Sequence, residues 1–333
     1  MVISRRAGLV GAAQLLTLAG CAPVVRGLGK PSSDFSGPKL LEDRLIATDG
    51  TPLALTSWVP RETAPWAVVV GLHGMNDYGN AFHLAAQWWA QHGVATLALD
   101  QRGFGRSPDR GFWAGEDAMV QDARTLVDLA RITFPKARIL LAGISMGGAV
   151  AIRASVGDQA ARADGLMLFA PAVWGWSRQP LPNKTLLWLT AHTTPGHQIK
   201  PPEFVINTIK PTDNRAELLA MTRDRNLIWG TRPDAIYGLT NLMESAWSST
   251  DQIQMPTAYF YGAKDQIIPR KPSFEAAARL KAPHKTAYYD DGYHLLLVDN
   301  QAPRVWADAL GFMRDPTAPL GSSPALMPPP KKL

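Results

Sequence analysis

One pentapeptide constrains this chain more than any other feature: Gly143-Ile144-Ser145-Met146-Gly147, set between the apolar run Arg138 to Ala142 and the helix-period segment Met146 to Ala154. Gly-x-Ser-x-Gly at a strand-to-helix junction describes a sharp turn that lifts the serine hydroxyl clear of a sheet. The glycines have a steric purpose. A chain reversing this tightly holds Ser145 in a strained conformation while neighbouring backbone passes close by. Such a turn needs a strand before it and a covering helix after it, which already argues for a layered α/β structure.

The flanking chain has the rhythm this predicts. Ala67 to Leu72, Ala95 to Leu99, Ile139 to Ala142, Gly165 to Phe169 and Thr257 to Tyr261 read as buried strands. Phe82, Ala85, Ala86, Trp89 and Ala90 repeat at helical spacing between them, as do Val120, Ala123, Leu126, Val127 and Ala130. Strands separated by helices predict a mostly parallel sheet covered on both faces. The rhythm breaks between about Val173 and Gln254, where tryptophans and leucines mix with prolines and charged turns; this predicts an inserted helical cap. The main domain is expected over 40–314. The tail at 315–333, with six prolines and no apolar period, is expected to be disordered.

A serine hydroxyl is a poor nucleophile until a base takes its proton, so Ser145 requires a histidine and a group that orients it. Asp265 follows the strand-like run Thr257 to Tyr261, and His294 follows another, Thr286 to Tyr289. The order Ser, Asp, His suits this sheet topology. Asp290 and Asp291, in the same loop as His294, fit turn carboxylates better. His83, His92, His192, His197 and His284 fall where packing or surface roles suffice. Leu72-His73-Gly74-Met75 ends a strand where a backbone donor for an oxyanion is needed, so the N–H groups of Met75 and Met146 are the expected pair. His73 itself and the turn Asp100 to Ser107 are expected to be structural.

The N-terminus reads as an address. Arg5 and Arg6 precede an apolar run, Ala7 to Ala19, and small residues lead to Cys21, the only cysteine in the chain. The run is short of the roughly 20 residues that cross a bilayer core. Residues 1–20 are expected to be a cleaved signal and 21–39 a flexible tether. A lone cysteine excludes a disulfide framework and a cysteine-rich metal site. The net charge is +6; without Arg5 and Arg6 it is +4, with 32 Lys and Arg against 28 Asp and Glu, which is weak support for nucleic-acid binding. No cofactor and no metal are expected; there is neither a His-Glu-x-x-His helix nor a Walker phosphate loop.

Taken together, His73-Gly74, the Asp-x-Arg-Gly-x-Gly-x-Ser turn from Asp100, the elbow at Gly143, Gly262-Ala263-Lys264-Asp265 and Gly292-Tyr293-His294 resemble the α/β-hydrolase superfamily. More narrowly they resemble its monoacylglycerol lipase and lysophospholipase branch, also called serine aminopeptidase-like. The resemblance implies a Ser145–Asp265–His294 triad, an oxyanion hole at Met75 and Met146, and a small-molecule acyl ester substrate. It departs after Gly74, where mammalian monoacylglycerol lipases have Ala-Gly-Glu-His and this chain has Met75-Asn76-Asp77-Tyr78. Leu18-Ala19-Gly20-Cys21 resembles the lipobox of bacterial lipoproteins, which implies lipidation of Cys21 and attachment to an envelope membrane. Ala22 lacks the aspartate associated with inner-membrane retention, so an outer-membrane, periplasm-facing site is compatible. Two rivals stay open. A peptidase or amidase of the proline iminopeptidase type would need a carboxylate cluster near the cap, for which Glu203, Asp213, Glu217, Asp224 and Asp234 are candidates. A non-catalytic envelope lipid-binding protein would need none of the three triad side chains.

Overall fold

The computed structural model describes residues 22–200, 208–322 and 324–327. Nine strands form one sheet: β1 (Lys39–Leu40), β2 (Arg44–Ile46), β3 (Pro52–Trp58), β4 (Ala67–Leu72), β5 (Val94–Leu99), β6 (Arg138–Ile144), β7 (Gly165–Phe169), β8 (Thr257–Gly262) and β9 (His284–Tyr289). Their order is β1-β2-β3-β5-β4-β6-β7-β8-β9. The first three pair antiparallel; every pair from β5 to β9 is parallel. Strands β4, β5, β7 and β8 are buried along their whole length, as a sheet covered on both faces demands.

The sheet is flanked by helices α1 (His83–Gln91), α2 (Glu116–Thr133), α3 (Met146–Ala154), α4 (Leu181–Thr193), α5 (Arg215–Arg223), α6 (Pro233–Ser249), α7 (Arg270–Ala278) and α8 (Ala302–Arg314). Alternate strand residues face opposite layers. Val68, Val70 and Leu72 join α2, α3 and α6 in one apolar cluster. Ala67 and Val69 join α1 and α8 in the other. A buried ion cluster pins the sheet at its antiparallel side. Arg102 reaches both Asp49 oxygens at 2.9 Å and both Asp122 oxygens at 2.5 and 2.9 Å.

Three expected boundaries need correction. The cap does not extend to Gln254, because α6 lies in the sandwich layer: Leu242 and Ala246 share the cluster of Val150 and Ile152 in α3. The insertion proper ends near Arg232. Next, the segment expected as a flexible tether is docked between Val24 and Gly29. Val25 bridges Trp113, Arg26 N donates to Trp113 O at 2.9 Å, and Gly29 N donates to Asp49 at 2.8 Å. Last, the tail expected to be disordered runs along the open edge of β9. Tyr288 N donates to Ala325 O at 2.7 Å, Ser322 N to Asp308 at 2.7 Å, and Leu320 and Met327 are buried. Covering an edge strand satisfies backbone groups that would otherwise recruit another chain. Residues 1–21, with Cys21, and 328–333 lie outside the described residues.

Candidate active site

Ser145 closes β6 and caps α3 with φ 50° and ψ −115°, a conformation L residues rarely hold without support. The support is tight backbone packing. A Cβ at Gly147 would fall 2.1 Å from the Leu72 carbonyl oxygen, and one at Gly143 would fall 2.3 Å from that of Gly147. Only glycine lets β4, β6 and α3 converge here. Ser145 N donates to Phe169 O, and Ala172 N to Ser145 O, fixing the turn between two strand ends. Gly74 lies beside the serine, where an added Cβ would be 3.3 Å from the Ser145 Cβ.

The structure brings Asp265 and His294 together. His294 Nδ1 lies 2.9 Å from Asp265 Oδ2, with both side chains buried. The second Asp265 oxygen accepts from Ile267 N at 2.8 Å and Ile268 N at 3.0 Å. One carboxylate oxygen is therefore spent on holding the group, and the other orients the imidazole. The two loops carrying these residues are joined by Ala263 N to Tyr289 O and Lys264 N to Gly292 O. Gly262 permits it: a Cβ there would meet the carbonyl oxygens of Gly292 and Tyr293, each at 2.4 Å.

Met146 occupies the first turn of α3, where N–H groups have no intrahelical acceptor. Neither its amide nor that of Met75 donates a backbone hydrogen bond among the described residues. His73 is fully buried, accepts from Gln101 N at Nε2 (2.9 Å) and donates from Nδ1 to Gly74 O (2.7 Å), which fixes its tautomer. Burial pushes its pKa down to about 4, so the ring is neutral. Asp100 is buried and accepts from Gly79 N, Arg106 N and the Arg106 guanidinium, a turn-shaping role as expected. Asp291 pairs with Lys264 at the surface instead of meeting His294.

Sequence reasoning missed Asp299. It is buried and accepts from Tyr293 N at 2.7 Å, directly before His294. Its one sequence signal is an acid closing the apolar run Leu295 to Val298. Also unforeseen is how the cap grips both loops of the site. Leu295 N donates to Pro211 O and Asn300 N to Asp213, while Asn76 accepts from Ile228 N and donates to Thr231.

A pocket of about 130 Å³ opens between the β4–α1 loop, α5 and the histidine loop, lined by Ile144 and Leu295, the neighbours of Ser145 and His294. Asp77, Glu217 and Asp224 line it too, and among the described residues no lysine or arginine does. Tyr78 OH donates to Asp224 at 2.6 Å, and His83 Nε2 lies 3.5 Å from Glu217. Removal from water, with Asp224 and Asp100 nearby, pushes Asp77 up to about 7. Of the five acids weighed for a cluster, Asp213 instead holds the histidine loop, Asp234 pairs with Arg232, and Glu203 lies outside the described residues.

Residues 63–301 match the family model described as serine aminopeptidase, S33. A monoacylglycerol lipase of Mycolicibacterium smegmatis is 33% identical over 110 residues, which is 33% of this chain and only 39% of that relative's length. Rattus norvegicus monoglyceride lipase is 22% identical over 76% of this chain and 82% of its own. A soluble variant of monoglyceride lipase from Saccharomyces cerevisiae, solved with a substrate analog, superposes with a TM-score of 0.69 at 16% identity over 87% of this chain and 99% of its own, a likeness of fold. With its parallel sheet, strand-to-helix serine turn and matched family model, the chain belongs to the serine aminopeptidase S33 family of α/β-hydrolases.

Proposed function

We propose that this chain is a cofactor-free carboxylic ester hydrolase that acts on acyl lipids of the monoacylglycerol or lysophospholipid type. The observation that carries the reading is the buried His294–Asp265 contact on loops of the same sheet edge as the strained Ser145. In the proposed reaction His294 takes the Ser145 proton as Oγ attacks the ester carbonyl, and the Met75 and Met146 amides receive the oxyanion. Collapse expels the alcohol with that proton and leaves an acyl-serine, which water, deprotonated by the same imidazole, then cleaves to the free acid. Asp265 keeps Nδ1 protonated and stabilises the imidazolium. The named relatives favour monoacylglycerols. Attachment of Cys21 to an envelope membrane is part of the proposal and would hold the enzyme near lipid substrates.

A second reading has its own observation. The carboxylates Asp77, Glu217 and Asp224, in the pocket that Ile144 and Leu295 line, are what a peptidase needs for a substrate amino group. A monoacylglycerol chain-length series measured against aminoacyl amides separates the two. Faster ester turnover is expected; faster amide turnover favours the peptidase.

A further inference from the structure

We infer that Asn76 is a positioning residue through which the cap holds the Met75 amide in the oxyanion hole. The inference rests on the reading of Ser145 as the nucleophile and is indifferent to ester or amide preference. Gly74, Met75, Asn76 and Asp77 form a turn closed by Asp77 N, which donates to Gly74 O at 3.3 Å. His73 Nδ1 donates to the same carbonyl at 2.7 Å. In a trans peptide the C=O and N–H point in opposite directions, so two donors on the Gly74 carbonyl fix the direction of the Met75 N–H.

The turn is completed by a strained residue. Asn76 has φ 65°, the left-handed region that the third position of a type II turn requires. Glycine would adopt it with less strain; asparagine brings an amide that glycine lacks. Asn76 Nδ2 donates to Thr231 Oγ1 at 2.7 Å, and the Asn76 carbonyl accepts from Ile228 N at 3.0 Å. The side chain and the backbone of one residue are thus both held by the end of the cap insertion.

That end of the cap is itself braced. Thr231 and Ile199 exchange two backbone hydrogen bonds, each of 2.9 Å. Arg110, from the main domain, donates to the carbonyls of Arg225 and Leu227 at 2.7 and 2.8 Å. Tyr78 OH on Asp224 adds a second tie from the same loop. A fixed anchor can hold a strained turn that would otherwise relax, and an oxyanion donor has its full effect only when held in place beforehand. Leu227 lines the pocket beside Ile228, so the stretch of chain that fixes the donor also bounds the substrate space.

The test uses the full chain and measures both hydrolysis of p-nitrophenyl butyrate and the rate at which a fluorophosphonate labels Ser145. Thr231→Val removes the acceptor from the cap without touching the turn, and Asn76→Gly keeps the backbone angle while removing the amide. Each should lower kcat about tenfold with KM within about twofold, the pattern of an interaction that matters in the transition state. Labelling, which also drives charge onto an oxygen in the hole, should slow by about the same factor. Thr231→Ser keeps the hydroxyl and should restore both rates. Because one contact is at stake, the double variant should fall no further than either single one. Should one variant unfold, the other decides. Wild-type kcat and labelling in Thr231→Val, a rise in KM alone, or additive losses in the double variant would overturn the inference. A wild-type chain that neither hydrolyses the ester nor takes the label would overturn the serine mechanism as well, a result distinct from labelling that is equally fast in every variant.

Discussion

Asp299 holds the backbone amide of Tyr293 at 2.7 Å, one peptide unit before His294. The buried acid, whose pKa burial pushes up to about 6, therefore sets where the imidazole starts its approach to Asp265. Asp299→Ala is expected to lower kcat/KM about tenfold, the scale of one lost buried hydrogen bond. Asp299→Asn keeps an acceptor and should recover most of it. Because asparagine imitates the protonated acid, wild type and Asp299→Asn should converge below pH 6 and separate at pH 8. A steady-state pH profile of ester hydrolysis checks this.

Gly262 is where the acid loop and the histidine loop touch. An added Cβ would fall 2.4 Å from two carbonyl oxygens, and backbone cannot give way as a flexible side chain can. Gly262→Ala should part Asp265 from His294 and reduce kcat/KM by about 100-fold, since small misplacements of reacting groups carry that cost. Activity assays paired with far-UV circular dichroism would show lost turnover with the sheet retained.

Stability should depend heavily on Arg102, which is 6% exposed and neutralises two buried carboxylates. Arg102→Ala leaves Asp49 and Asp122 facing each other without a cation. The expected loss is about 3–5 kcal/mol in urea denaturation, the range for breaking a buried ion pair from one side.

Asp77 gives a second pH signature, read in stability. Its carboxyl is raised to about 7 in the fold by removal from water and by Asp224 and Asp100, against about 3.9 unfolded. Between these values the folded chain binds more protons than the unfolded one, so this group's contribution to stability falls as pH rises. Asp77→Asn removes the effect. Its Tm should exceed that of wild type at pH 8, with the margin closing toward pH 4. Thermal unfolding across that range is the check.

Much of this arrangement was legible because strong apolar runs have few alternatives. Ala67–Leu72 and Gly165–Phe169 appear as strands with the expected ends. The positions of Asp265 and His294 followed from their place just beyond strand-like runs. What escaped had no local signature. β1 and β2 are two and three residues long and carry no apolar period. The stripe of α6 reads alike whether it packs under a cap or in the sandwich, so only tertiary contact shows which. The segments around Arg26 and Ala325 dock through backbone hydrogen bonds, and side-chain periodicity says nothing about those. Asp299 acts on a backbone amide six residues away, a relation that composition and spacing do not announce.

The account rests on Ser145 Oγ as the attacking atom, and covalent capture measures that most directly. Treated with a fluorophosphonate, the wild-type chain should gain one adduct, located by peptide mass at Ser145, and lose ester hydrolysis in proportion. Ser145→Ala should gain none and be inactive. Labelling or hydrolysis by the alanine variant at the wild-type level would contradict the mechanism.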